Sequence, residues 1–254
     1  MTEAPAGSEQ PNFLIVTGGG LGRPVLVPID LGDATVVIAA DSGLDVARDA
    51  GFAVHHVVGD LDSARPEAVQ DAVGRGAILH RHLCDKDATD FELALDLVLE
   101  LARSAPEPAP SLLVVGPGGG RQDQAFADLL ALAGPRLVDL EVTGRFGEAD
   151  WLVIRPGRPR RFFVTPQEQI SLLPVHGLAT GVTTSGLRWP LADADLDAGT
   201  NRGVSNAAAD GEMSVSITGG VLLVCRPGLI ADPVEPRLTP YDPSPRDPNR
   251  KSRP

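Results

Sequence analysis

From residue 13 to about residue 135, short apolar runs alternate with helical patterns, and no other feature limits the fold as strongly. Strands buried on both faces read as near-continuous apolar runs, as a parallel sheet covered by helices requires. The expected strands are FLIVT, TVVIAAD, HHVVGD, AILHRHL and SLLVVG, and the expected helices are LDVARDAG, RPEAVQDAVG and TDFELALDLVLELAR. In the last helix Phe91, Ala94, Leu95, Val98 and Ala102 recur at helical spacing, while Glu92, Asp96 and Glu100 form an acidic stripe. Thr89 followed by Glu92 makes a capping box that fixes where this helix begins.

Around residue 145 the texture changes. WLVIRPGRPRRFFV reads as a hairpin turning at Pro156-Gly157, and short alternating runs follow without a convincing helix. The expected fold class is α/β plus all-β: an N-terminal three-layer α/β/α domain with a mostly parallel sheet, then a C-terminal β-sandwich. The expected boundaries are a disordered tail over 1–12, the α/β domain over 13–145, the sandwich over 146–227 and a Pro-rich disordered tail over 228–254. The arginines at 155, 158, 160 and 161 read as a solvated hairpin tip rather than a phosphate grip.

A formal net charge of −12 argues against a chain whose main business is holding nucleic acid or an anionic membrane. The polar start MTEAPAGSEQPN lacks the order of a signal peptide, no run reaches bilayer length, and a cytoplasmic location is expected. Cys84 and Cys225 are far apart and outside any CxxC pair, so no disulfide framework is indicated. His80, His82 and Cys84 share one face of an expected strand but lack an obvious fourth ligand, so a plain strand is the better reading than zinc. His55, His56 and His176 read as ordinary.

Four stretches fall at expected strand ends or helix starts, where open α/β sheets bind ligands: AADSGLD, GDLDS, KDATD and GPGGGRQDQ. On an extended segment, Asp60 and Asp62 would point to one side with Cα atoms roughly 7 Å apart, and a divalent metal would remove their repulsion. The plainer reading has Asp60 closing a turn while Asp62 or Ser63 caps the helix announced by Pro66. Asp87 and Asp90 lie three apart at a helix entrance, with Lys86 before them as a phosphate contact, or simply enrich that helix start in acid. In GPGGGRQDQ the glycines permit close backbone approach, Arg121 offers a fork for phosphate and Asp123 opens the next helix; otherwise it is a flexible turn. Neither a Walker A sequence nor a dinucleotide fingerprint is present, TGGGLG included.

The ordered set ADSGLD, GDLDS, KDATDFELAL and GGRQDQ, followed by TTSGLRWPL, LDAGT and GVSN, closely resembles the thiamine pyrophosphokinase family from about Phe13 to about Pro227. That resemblance implies an α/β domain followed by a β-sandwich, a homodimer, and Mg²⁺-dependent transfer of a pyrophosphoryl group from ATP to thiamine with release of AMP. It implies Asp60, Asp62 and Asp90 as the metal and phosphate site, with Asp41 adjoining it. Nucleotide contacts are expected at Asp41, Ser42, Lys86, Asp87, Thr89 and Arg121, and catalytic roles for Arg121 and Asp123 beside the metal acids. Thiamine is expected to meet Asp123, and Ser205 with Asn206 across the dimer. The chain departs from the family pattern at Ser42 to Asp45, at Leu61, where phenylalanine is usual, and at Ala207. Those departures motivate an alternative, an inactive nucleotide- or thiamine-sensing module of the same fold. A third reading is a related magnesium-dependent transferase acting on another alcohol.

Overall fold

The structure, a computed structural model, describes residues 12–18, 29, 31–32, 34–82, 87–103, 109–118 and 120–228. Most of TGGGLG, together with Cys84, Lys86, most of APEPAPS and nearly all of both expected tails, lies outside the described residues.

The first half builds β1 (Phe13–Thr17), β2 (Val36–Ala40), α1 (Gly43–Asp49), β3 (His56–Gly59), α2 (Pro66–Gly74), β4 (Ile78–Arg81), α3 (Asp90–Ala102), β5 (Ser111–Gly116) and α4 (Gln122–Leu132). A 3-10 turn over Pro135–Leu137 leads into β6 (Glu141–Phe146). The second half contains β7 (Ala149–Ile154), β8 (Arg160–Phe163), β9 (Gln169–Ser185), β10 (Ala194–Leu196), β11 (Asn206–Ala207), β12 (Glu212–Ser216) and β13 (Gly219–Arg226). Every expected strand and helix of the first half is present, with ends shifted by a residue or two.

Strand order runs β4-β3-β2-β1-β5-β6-β7-β13-β9-β12-β8, with β10 and β11 attached to β9. The first six of these are parallel, and pairing turns antiparallel at β6–β7. Side chains alternate across the sheet as strand geometry demands. Phe13, Ile15, Ile38, Ala40 and Val58 share a core with Phe91, Ala94, Leu95 and Val98 of α3. Their neighbours Leu14, Val16 and Val37 pack with Ala47 of α1, and Ala39 and Val57 pack with Leu44 of α1 and Ala68 and Ala72 of α2. Helices thus cover both faces, which gives the three layers.

The same alternation carries into the antiparallel part. Val153 and Leu223 face the α3 core, whereas Ile154, Leu222 and Val224 face a second core with Ile170, Leu172, Val182, Met213 and Val215. The 17-residue β9 joins the two regions: its first half pairs with β13 and its last residues with β12.

The expected hairpin at Pro156-Gly157 is only partly right. The turn closes, with Arg155 bridging Arg158, but β7 lies between β6 and β13 while β8 pairs with β12. Residues of β7 serve cores on both faces, and β8 joins the far end of the strand order through β12, with Phe162 packed against the second core. Of the four clustered arginines only Arg161 is solvated as expected, its side chain 74% exposed beside Glu212. Arg155 is 6% exposed and donates to the carbonyls of Ala133 and Gly134, Arg158 donates to the Leu140 carbonyl, and Arg160 pairs with Glu141.

Candidate active site

The strand order reverses direction between β1 and β5, and a cleft of about 610 Å³ opens at the C-terminal strand ends beside that switch point. Its walls come from the β1 end (Thr17, Gly18), the β2–α1 turn (Asp41, Ser42), the β3–α2 turn (Asp60, Ser63), the α3 start (Thr89, Asp90) and one side of α4.

Local sequence explains the placement. Gly43 begins α1 so close to β1 that a Cβ there would stand 2.1 Å from the Val16 carbonyl oxygen, so only glycine admits the turn that presents Asp41 and Ser42. Gly59 has φ +143, and a Cβ on it would approach the Asp90 carboxylate to 3.1 Å and the Asp41 Cβ to 3.3 Å. The bare Gly59 therefore lets Asp41 and Asp90 draw near. The capping box forms as expected: Glu92 N–H donates to Thr89 Oγ1 at 3.1 Å, and Thr89 N–H donates to Glu92 at 3.2 Å.

GDLDS differs from its sequence expectation. It is not extended beyond Gly59, because Leu61 takes the left-handed φ of 64 and Asp62 N–H donates to Asp60 Oδ1 at 3.3 Å. Nor does Asp62 or Ser63 cap α2: Arg65 holds that position without a side-chain cap bond, and Ser63 Oγ donates to Asp62 at 2.9 Å. The tight turn achieves convergence by another route. One carboxylate oxygen each from Asp41, Asp60 and Asp62 lies within 4.8 Å of the others.

Asp41 is the most strained member. Its φ is 46, an uncommon left-handed value for a residue other than glycine, and its Oδ1 is buried without a hydrogen-bond partner among the described residues. Burial pushes its carboxyl above the usual range, partly countered by hydrogen bonds from Ser42 and Ser63 and reinforced by the negative charges of Asp90 and Asp60. Three gathered carboxylates with an orphaned oxygen fit a hard divalent cation, which takes such ligands in place of water.

Asp45, the second acid of ADSGLD, is turned elsewhere and ties α1 to Arg65 at 2.9 Å. Asp87 is exposed and outside the cleft lining, while Lys86 lies outside the described residues. Arg121 and Asp123 do line the cleft and pair with each other at 2.6 Å, which holds the Asp123 carboxyl below its ordinary range. Ser205 and Asn206 do not line the cleft. Ser205 is exposed in a left-handed conformation, and Asn206, 5% exposed, spends its side chain on the backbone of Trp189 and Ala207.

One cleft residue escaped sequence reasoning. Asp128 of α4 is 9% exposed, and burial together with the charge of Glu92 pushes its carboxyl up to about 6. The available signal was its spacing, four residues before the fully buried Leu132 and therefore on the inward side of α4.

Comparison with known proteins decides the family. The model described as "Thiamin pyrophosphokinase, catalytic domain" matches residues 31–143, and "Thiamin pyrophosphokinase, vitamin B1 binding domain" matches residues 163–222, together more than half of the chain. The chain belongs to the thiamine pyrophosphokinase family. Thiamine pyrophosphokinase of Bacillus subtilis (strain 168) is 24% identical over 193 residues, covering 76% of this chain and 87% of that protein. Thiamine pyrophosphokinase 1 of Oryza sativa subsp. japonica is 24% identical over 165 residues, covering 64% and 61%. The crystal structure of the Bacillus subtilis thiamine pyrophosphokinase superposes with TM-score 0.71 at 22% identity, covering 84% of this chain and 98% of that one. That of thiamin pyrophosphokinase from Geobacillus thermodenitrificans gives 0.65 at 25% identity, covering 84% and 96%. None of these matches supports an inactive sensing module.

Proposed function

We propose that the cleft transfers the pyrophosphoryl group of ATP to the hydroxyl of thiamine, and that Asp41, Asp60 and Asp62, with Asp90 beside them, would hold Mg²⁺ there. The observation that carries the reading is the convergence of the three carboxylates within 4.8 Å, with one oxygen of Asp41 buried and lacking a hydrogen-bond partner among the described residues, in a chain of this family. When bound, the ion supplies neutralisation of the charge on the phosphate oxygens. In the transfer, the thiamine hydroxyl oxygen attacks the β-phosphorus, the bond from that phosphorus to the oxygen bridging it to the α-phosphorus breaks, and AMP leaves with the bridging oxygen. The protein's part is positioning and electrostatics.

Arg121 is the cleft's cation for the transferred group, and it must exchange Asp123 for phosphate oxygens to serve. While the pair is intact, Arg121 holds the Asp123 carboxyl below its ordinary range and occupies it; once Arg121 turns to phosphate, Asp123 is free to accept the hydroxyl proton. Ser42 and Thr89 supply polar contacts along the phosphate path, and Lys86 is our further candidate for a phosphate contact, whereas Asp87, exposed outside the cleft lining, would act on the nucleotide only through a metal ion. We assign 13–145 to the catalytic domain and 146–227 to the thiamine-binding and dimerisation domain, flanked by tails over 1–12 and 228–254. Because Ser205 and Asn206 lie away from the cleft of their own chain, the reading requires a homodimer in which the partner brings that surface to the cleft. Trp189, 56% exposed, and Val204, 40% exposed, flank that surface, and Phe126, 65% exposed, stands beside the cleft as apolar area for such pairing. No helix among the described residues is long and apolar enough to cross a membrane, and a cytoplasmic enzyme free of nucleic acid and membrane partners is our reading.

Incubating the protein with ATP, Mg²⁺ and thiamine and separating the products by chromatography tests this directly. Thiamine diphosphate and AMP are expected in equal amounts. Thiamine-independent phosphate release, or ADP in place of AMP, would be incompatible with the proposal.

A further inference from the structure

The acids gathered at the phosphate end leave Asp128 without a task. It lies on α4 in the same cleft, five residues beyond Asp123, next to a stretch of wall formed by Ala127 and Ala131, whose short side chains leave room for a flat ring. It is 9% exposed and lines the cleft, and no hydrogen bond or ion pair ties its carboxyl to another described residue. A side chain nine-tenths buried, with a carboxyl that opens only onto the cleft and has no partner among the described residues, is placed to pair with a ligand there.

We propose that Asp128 determines specificity by reading the edge of a substrate ring that carries an amino group beside a ring nitrogen. A carboxyl that holds its proton donates to the ring nitrogen while its other oxygen accepts from the amino group, which closes a paired two-bond contact. Adenine and the aminopyrimidine of thiamine both present this edge. The inference rests on the function proposed above and adds a residue that recognises the ring. Burial, with the charge of Glu92 on α3 adding to it, raises the Asp128 carboxyl to about 6, so it takes up a proton on ring binding more readily than an ordinary aspartate; among the described cleft residues the one cation, Arg121, is engaged by Asp123.

The test measures binding to wild type, Asp128→Asn and Asp128→Leu by calorimetry, using the non-transferable α,β-methylene analogue of ATP with Mg²⁺ in one arm and thiamine alone in the other. An asparagine amide donates and accepts as the protonated acid does, so Asp128→Asn should bind both within about threefold of wild type, whereas Asp128→Leu should weaken one of them by roughly 10- to 100-fold. Loss confined to the nucleotide arm assigns the edge to adenine, and the inosine analogue should then bind wild type as weakly as the adenine analogue binds Asp128→Leu. Loss confined to the thiamine arm assigns it to the aminopyrimidine, and oxythiamine replaces inosine in the same comparison. Inorganic tripolyphosphate with Mg²⁺ should bind all three proteins equally. Unchanged affinities in Asp128→Leu, or an equal loss in Asp128→Asn, would overturn the inference. Failure of wild type to bind either ligand would instead sink the proposed function.

Discussion

Asp41→Asn is expected to lower AMP release by on the order of a hundredfold or more while leaving the fold intact. Asparagine is the informative replacement because it tolerates the left-handed φ of 46 that Asp41 adopts, so the β2–α1 turn should keep its shape. It removes one negative charge from a group in which Asp90 and Asp60 already push against Asp41, so the protein free of metal should be no less stable than wild type. The catalytic loss follows from the other side of the same balance: an amide oxygen is a weaker ligand for a hard divalent cation than a carboxylate. Steady-state assays of thiamine-dependent AMP formation, with unfolding curves on the same samples, separate the two effects. A folded Asp41→Asn protein turning over near the wild-type rate would remove Asp41 from the metal site.

Arg155→Ala should produce the largest loss of stability, about 2–4 kcal/mol. The guanidinium is buried and donates to the Ala133 carbonyl at 3.1 Å and the Gly134 carbonyl at 2.8 Å, which closes the C-terminal end of α4. Burial, with Arg158 nearby, holds its pKa below the usual arginine value, and its Nε is buried without a partner among the described residues. Alanine would leave a cavity and two carbonyl groups short of donors. Arg155→Met, which fills the space and removes the buried charge, should lose less, since a well-packed apolar replacement can offset a buried ion. Urea unfolding of the three proteins decides the matter: matching midpoints for Ala and wild type would show that Arg155 does not hold this end of α4. Turnover per folded molecule should change little in either variant.

These two arginine and aspartate positions mark where sequence reading stopped. FLIVT and SLLVVG were legible because a strand covered on both faces has no polar side to interrupt it. EVTGRF was not, since Gly144 and Arg145 break the apolar run; in the fold, Arg145 is satisfied by Asp150 across the β6–β7 pair at 2.6 Å. Arg155 reads as one of four clustered cations, and its burial depends on α4 arriving from twenty residues upstream. The acids of the cleft were visible as motifs at strand ends, but their arrangement was not. Asp41 stood in the sequence as a neighbour of the metal group, whereas its orphaned oxygen and its position within 4.8 Å of Asp60 and Asp62 make it a full member. That depends on left-handed turns at Asp41 and Leu61, which a two-residue periodicity cannot reveal. Asp128 is a charged residue type and so reads as solvated; only its spacing, four residues before Leu132, hinted that it faces inward.

A divalent ion should hold the gathered carboxylates in their charged form, and thermal unfolding across pH measures this most directly. Asp41 and Asp128 both have native pKa values raised above the unfolded ones, so the native state holds extra protons and their contribution is fullest below the unfolded pKa of about 3.8. It is lost as pH rises through the native values, for Asp128 at about 6. Without metal, stability from these groups should therefore fall between about pH 4 and pH 7. With Mg²⁺ and α,β-methylene-ATP the decline should flatten and the melting temperature at pH 8 should rise, and Asp41→Asn should lose most of that rise. A wild-type melting curve at pH 8 that Mg²⁺ and nucleotide leave unmoved would contradict it.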